Sequence, residues 1–177
     1  MKYVALLRGI NVGGNSIVKM AELKRMCEDL GLEEVRTYIN SGNVIFESGL
    51  QKEDLEEMLE KGVLEKLKVF SQVLVLSKEE LERIMADVPK EWEISKDMRK
   101  YISFIKKPAK PEDILPEVKI TPGVDSIKLG NQTVYMSTLL SGITKTGFNK
   151  MIGTGIYKQM TMRNYNTVLK LFSLLKG

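Results

Sequence analysis

The sequence predicts an α+β protein made of two halves. Three observations lead to this prediction: an apolar run at residues 3–7, two glycine-containing turn signals at residues 40–42 and 130–131, and stretches of helical periodicity between the strand-like runs. We expect a ferredoxin-like α+β half over residues 1–77 and a second α+β half over residues 78–177 that ends in a C-terminal helix. The two halves are expected to pack as one compact unit.

The first strand and the first helix are predicted by where their apolar residues fall. Residues 3–7 are apolar on both faces, as in a strand at the centre of a sheet. Met20, Leu23, Met26 and Leu30 then recur at helical spacing, and Gly31 follows as a C-terminal stop. The pattern predicts a helix over residues 20–29, with Cys27 on its apolar side.

A β-hairpin and a second helix follow. Residues 34–39 and 43–47 are rich in β-branched and aromatic side chains, and the turn between them contains Gly42. Helical spacing recurs at Leu55, Met58, Leu59, Val63 and Leu67, although Gly62 and Val63 could kink or divide this helix. Residues 69–76 predict another strand. This order, β-α-β-β-α-β, is the ferredoxin-like pattern, with two helices on one face of a four-stranded antiparallel sheet.

The second half is an incomplete echo of the first. Strands are predicted at residues 100–105, 126–129 and 132–137, a short helix at 146–152, and a final helix at 163–175. Residues 90–99 are predicted to be irregular. The pattern suggests a degenerate duplication of the ferredoxin-like unit.

The composition excludes several kinds of chemistry. The 177 residues include no histidine and a single cysteine, Cys27, which rules out an internal disulfide, Ser-His or Cys-His catalysis and the usual zinc sites. We expect no cofactor and no metal. No apolar run is long enough for a membrane span and no leader pattern opens the chain, so a cytoplasmic protein is expected.

The loop after the first strand is the first candidate binding site. Arg8, Asn11, Gly13 and Gly14 lie between a strand and a helix, where backbone N–H groups and a guanidinium can bind an anion. The spacing matches neither the dinucleotide-binding motif nor the phosphate loop of nucleotide hydrolases. Alternatively, the glycines only allow a long connection to turn.

Two further stretches contain candidate ligand-binding residues. Asn40 and Asn43 flank the tip of the first hairpin, where a simple turn is the competing interpretation. Arg163, Asn164 and Asn166 lie at the predicted start of the final helix. Either Thr161 or Asn164 can act as its N-cap, and an arginine there favours anions.

Three stretches also carry a family resemblance: residues 3–14 (YVALLRGINVGG), residues 37–44 (TYINSGNV) and residues 161–168 (TMRNYNTV). They resemble, in the same order, the signature stretches of the bacterial domain-of-unknown-function family 1697. The resemblance implies a two-part, ferredoxin-like α+β protein without an established activity. The chain differs from the family pattern at Tyr165, where the family more often has tryptophan, and at Asn40, where it more often has glutamine.

The predicted topology bears on whether these stretches share one site. The first and third strands should be antiparallel neighbours, and from this we expect Arg8 and Asn43 at opposite ends of the pair unless the loop over residues 9–19 folds back. That placement argues against a single site.

Several functions remain open at this stage. The leading hypothesis is binding of a phosphorylated or otherwise anionic small molecule at the loop from Arg8 to Gly14. RNA binding through Tyr3 and Phe46 on the sheet is an alternative, although the aromatic motif of RNA-binding sheets is missing and the net charge of +4 is spread along the chain. An enzyme whose base is Glu34, Glu47 or Lys19 ranks below these two, because nothing distinguishes these residues from solvated surface charges. A structural or protein-interaction role is also open, and nothing indicates an oligomeric state.

Overall fold

The computed structural model describes residues 1–12 and 16–177. The chain forms two compact units, one made of residues 1–82 with 170–177 and the other of residues 83–169. Whether the sequence-predicted halves, 1–77 and 78–177, act as folding domains stays a prediction.

The first unit contains one antiparallel sheet of four strands and two long helices. The strands are β1 (Lys2–Leu7), β2 (Glu33–Tyr38), β3 (Asn43–Glu47) and β4 (Val73–Ser77), in the order β2-β3-β1-β4. Helices α1 (Met20–Asp29) and α2 (Lys52–Leu67) connect them. This is the ferredoxin-like arrangement predicted from the sequence.

The helix-facing side of this sheet forms the first core. Tyr3 and Phe46 are neighbours across β1 and β3, and their rings stack with centroids 5.8 Å apart. Both are buried together with the apolar faces of α1 and α2. Strand β1 is buried on both faces, in agreement with a central strand.

Glycines explain two local features of this unit. Gly42 has φ +75° at the hairpin tip, and a Cβ there would lie 2.6 Å from Cδ1 of Ile10, so only glycine fits. Gly62 does not interrupt α2, which runs unbroken over 16 residues. A Cβ at Gly62 would lie 2.8 Å from Cδ1 of Leu30, so glycine allows α2 to pack closely beside the end of α1.

The second unit repeats the strand order of the first. Its strands are β5 (Met98–Ile105), β6 (Asp125–Leu129), β7 (Thr133–Leu139) and β8 (Met160–Asn164), in the antiparallel order β6-β7-β5-β8. The helices of the repeat are replaced by short 3₁₀ segments at Pro111–Ile114, Leu140–Lys145 and Phe148–Met151 and by α5 (Gly155–Lys158). The second half is therefore a degenerate copy of the ferredoxin-like topology.

The remaining helices lie outside this repeat. Helix α3 (Lys78–Ala86) begins with the Ser77–Glu80 capping box, in which the Glu80 N–H donates to Ser77 Oγ at 3.2 Å. Helix α4 (Glu91–Ile94) lies in the stretch predicted to be irregular. Helix α6 (Tyr165–Lys176) closes the chain and belongs to both units, which divide it after Leu169.

The end of the second unit corrects one prediction. Residues 163 and 164 were expected at the start of the final helix, but they belong to β8, and α6 begins at Tyr165. Strand β8 pairs with β5, with Arg163 opposite Ile102 and Asn164 opposite Tyr101. Strand β8 is specified by pairing with a strand about sixty positions earlier, which leaves no signal in the local sequence. For this reason the helix predicted from periodicity begins two residues too early.

Candidate functional site

The loop after β1 is held by the side chain of Asn11. Its Nδ2 donates to the Val18 carbonyl at 2.9 Å and to the Asn40 carbonyl at 2.8 Å, and its Oδ1 accepts from the Val18 N–H at 2.8 Å. Both amide protons are therefore used within the protein, and Asn11 joins the loop to the hairpin tip. The predicted residues Gly13 and Gly14 lie outside the described residues.

The hairpin tip is held in a similar way. Asn43 is fully buried, and its Nδ2 donates to the Tyr38 carbonyl and to Ser41 Oγ, each at 3.0 Å. Asn40 is exposed, and its backbone carbonyl accepts the hydrogen bond from Asn11 Nδ2. The side chains of Asn11 and Asn43 thus maintain the backbone at this end of the sheet.

Arg8 belongs to the same end of the sheet. Its N–H donates to the Gln72 carbonyl at 2.9 Å, and its carbonyl accepts from Ser71 Oγ at 2.9 Å. The register pairs Leu6 with Asn43, so the expectation that Arg8 and Asn43 lie at opposite ends is wrong. Because the strands are antiparallel, the end of β1 lies beside the start of β3.

The three C-terminal candidates lie in the second unit. Arg163 is 8% exposed on β8, its Nη1 donates to the Met162 carbonyl at 3.0 Å, and burial lowers its pKa to about 10. The guanidinium is therefore still charged at neutral pH. Asn164 precedes α6, and its Oδ1 accepts from the Asn166 N–H at 2.9 Å, which makes it the N-cap expected from the sequence.

A cleft of about 650 Å³ opens on the second unit beside the start of α6. Its aromatic and apolar lining residues are Trp92, Met98, Tyr165 and Leu169, and its neutral polar ones are Ser95, Asn164 and Asn166. Cations exceed acids in the lining: Lys96, Arg99 and Lys100 against Glu93. The antiparallel pairing of β5 with β8 explains this meeting, since it places the start of β5 beside the end of β8.

Ring packing and hydrogen bonds hold the wall of the cleft together. The rings of Trp92 and Tyr165 meet edge to face with centroids 5.2 Å apart, and both residues are buried. Lys100 Nζ donates to the carbonyls of Trp92 and Ser95, which closes the C-terminal end of α4. Burial, and to a lesser extent the charge of Glu93, raises the pKa of Tyr165, so its phenol stays protonated at neutral pH.

Two cations at this cleft are available to solvent. Lys96 and Arg99 are exposed, and within the described part of the chain neither forms an ion pair. Sequence reasoning missed both because it treated residues 90–99 only as a connection. The signal was present as three cations among residues 96–100, directly before a strand.

Burial makes two sets of side chains in the first unit unavailable for chemistry: the aromatic pair Tyr3 and Phe46, and the thiol of Cys27. Tyr3 and Phe46 are buried against each other, so neither ring can stack on an RNA base. Burial, with a smaller contribution from Glu28, raises the pKa of the Cys27 thiol to about 12, so it is not a nucleophile at neutral pH. Across residues 1–12 and 16–177, no helix has the length and apolar content that a membrane crossing requires.

The fold is that of an α+β protein with two four-stranded antiparallel sheets in the same strand order, and the cleft lies on the second of its two units. The chain belongs to the family described as "Protein of unknown function (DUF1697)", whose sequence model matches residues 1–150. That range includes the first two signature stretches and ends before the third.

A solved structure agrees with this assignment. The conserved bacterial protein SP0830 from Streptococcus pneumoniae is similar to the chain with 29% identity and a TM-score of 0.86, and the alignment covers 98% of each chain. No curated protein matches the chain. Neither the family description nor the name of this solved structure gives an activity.

Proposed function

We propose that the protein binds an anionic small molecule, such as a phosphorylated metabolite, in the cleft beside the start of α6. The observation that carries the proposal is a concave site of about 650 Å³ whose rim has three cations and one acid. Clefts of this size suit metabolites and cofactors, and an excess of positive charge favours anions.

The residues of the cleft divide into two roles. Lys96 and Arg99 can reach into solvent and meet the anion, and the guanidinium of Arg99 can bind two oxygens of a phosphate or carboxylate at once. Asn164 and Asn166 add amide groups, and the start of the 12-residue helix α6 adds a favourable dipole. Met98 and Leu169 offer apolar area to the rest of the ligand.

Asn11 and Asn43 are less suited to be the principal ligand contacts, whereas contact of Asn40 with a ligand stays a prediction. The amide protons of Asn11 and Asn43 are used by neighbouring carbonyl and hydroxyl oxygens. Contact of Arg8 or Arg163 with a ligand stays a prediction, as does the cytoplasmic location, which the free and buried Cys27 favours.

The proposal is tested by thermal shift with inorganic phosphate, glucose 6-phosphate and adenosine monophosphate. A ligand in excess over its dissociation constant raises the melting temperature of the wild-type protein. Replacing Lys96 and Arg99 together by alanine should weaken binding about a hundredfold, because each of the two charged hydrogen bonds contributes about 1.5 kcal/mol.

The matched control replaces cations outside the cleft. Arg25→Ala and Lys150→Ala remove the same charges from exposed positions on α1 and on the second unit. These variants should bind as the wild type does. Equal affinity of the Lys96→Ala/Arg99→Ala variant and the control variants, measured by calorimetry, would disprove the proposal.

A further inference from the structure

The sheet edges of this protein differ in whether their backbone groups are already occupied. An edge strand presents N–H and C=O groups that can pair with another chain, and proteins commonly block them. Each of the two sheets has two edges, formed by β2 and β4 in the first unit and by β6 and β8 in the second.

The β4 edge is closed by carboxylates. Its pairing with β1 turns residues 73, 75 and 77 outward. Each outward N–H donates to one glutamate: Val73 to Glu60 at 2.8 Å, Val75 to Glu56 at 2.9 Å, and Ser77 to Glu80 at 2.9 Å. A second strand finds no vacant donor there.

Two other edges are obstructed in different ways. Strand β2 has a bulge between Glu33 and Arg36, where the side chains of Glu33, Glu34 and Arg36 are charged and exposed. On β8, the backbone carbonyl of Met162 points away from the sheet and accepts a hydrogen bond from Nη1 of Arg163, so it is already occupied.

The β6 edge is open. The Gly130 N–H donates to Thr133 O and the Leu139 N–H to Val124 O, so the even-numbered residues of β6 face β7. The N–H and C=O groups of Ile127 and Leu129 therefore point away from the sheet. In residues 1–12 and 16–177, the Asp125 N–H donates to Thr121 O, and no such bond is described for Ile127 or Leu129.

We propose that β6 pairs with β6 of a second copy of this chain, antiparallel, about a two-fold axis at Ile127. The N–H and C=O of Ile127 then exchange hydrogen bonds with those of the second copy's Ile127. The Leu129 N–H donates to the outward carbonyl of the second copy's Asp125, and the symmetric bond forms as well. The two four-stranded sheets join into one sheet of eight strands.

The side chains of β6 favour this register. With the axis at Ile127, exposed Ser126 faces the second copy's Lys128, which places no like charges opposite each other. Moving the axis to Lys128 would bring two lysines face to face. Lys128 is held in each copy by Asp87, at 2.6 Å from Nζ to Oδ1.

The charge of residue 126 provides a test in both directions. Sedimentation velocity over a wide range of concentration should show a monomer–dimer equilibrium for the wild type. Ser126→Glu should strengthen the dimer about fivefold and Ser126→Lys should weaken it about fivefold, because the axis creates two such cross-strand pairs. Raising the salt concentration should reduce both effects.

Ser141→Glu and Ser141→Lys are the matched controls, since Ser141 is exposed in the same unit but lies outside β6. They should leave the dimer constant unchanged. A wild type that stays monomeric at every concentration overturns the proposal, and this outcome would point to a different strand as the partner of β6. A dimer that responds equally to changes at Ser126 and Ser141 also overturns it.

Discussion

The two units order their strands alike but cover them differently. In the first unit the connections contain helices of 10 and 16 residues, whereas in the second they contain 3₁₀ segments of four to six residues and one four-residue α-helix. Antiparallel strand pairing therefore maintains the topology in both units, although the helices that cover the sheet are much shorter in the second. What differs is the source of stability.

In the second unit, polar contacts replace part of the missing helical cover. Asp125 is buried, and its carboxylate accepts from the Thr121 and Gly147 N–H groups at 3.0 and 2.9 Å and from the hydroxyls of Thr138 and Thr146 at 2.8 and 2.7 Å. These bonds join the segments before and after the β6–β7 hairpin. We expect the first unit to depend mainly on apolar packing and the second also on this carboxylate.

The largest effect is expected in the apolar core of the first unit. Phe46→Ala should lower the free energy of unfolding by about 3–5 kcal/mol, because it removes a fully buried ring that stacks on Tyr3. Urea denaturation followed by circular dichroism measures the change. Phe70→Ala is the matched control, since Phe70 is 77% exposed and should change stability by less than about 0.5 kcal/mol. Similar effects of the two variants would show that the core was assigned wrongly.

A smaller, pH-dependent effect is expected in the second unit. Burial raises the pKa of Asp125, but its four hydrogen bonds outweigh this effect and the pKa lies below its ordinary value. The charged Asp125 carboxylate therefore contributes its full stabilisation of the folded state above the pKa of the unfolded chain, which is about 4. This contribution is lost as the pH falls through the lower pKa of the folded state. Asp125→Asn should cost about 2 kcal/mol at pH 7.

The pH dependence separates this role from simple packing. The difference in melting temperature between wild type and Asp125→Asn should shrink as the pH falls below about 4, because the asparagine does not titrate. Thr146→Val, which removes one of the four donors, should cost about 1 kcal/mol and serves as the partial variant. A constant difference from pH 7 to acid would refute the role of the charged carboxylate.

The smallest effect is expected at the closed β4 edge of the first unit. Glu60→Ala removes the acceptor of the Val73 N–H and should cost about 1 kcal/mol. Hydrogen exchange at the Val73 amide should accelerate, whereas exchange at the Val75 amide, which donates to Glu56, should change little. Glu57→Ala on the same helix is the control. Unchanged exchange at Val73 would mean that Glu60 does not protect the edge.

The sequence was most informative where structure is local. Helix α1 has the predicted bounds, and both hairpins form at the predicted turns. Strand β8 was missed because its residues are specified by pairing with β5, and the two strands are far apart in sequence. Strand β4 begins at Val73 rather than at residue 69, because it extends only along the length of β1.

The candidate site was harder to anticipate for the same reason. Asn164 and Asn166 could be selected from a helix-start pattern, but Lys96 and Arg99 join them only through the β5–β8 pairing. In the first unit, the roles of Asn11 and Asn43 became clear only from the carbonyl groups that accept their amides. A polar residue in a loop motif can serve the backbone as easily as a ligand, and composition does not separate these roles.

Helix α6 contributes its first five residues to the second unit and its last seven to the first. On the ribosome, residues 1–82 emerge long before residues 170–177, which complete their unit. The buried side chains of Leu171 and Leu175 therefore reach the first unit only after the whole of the second unit has been synthesised. The order of synthesis and the order of completion are thus opposed, since the unit that starts first is finished last.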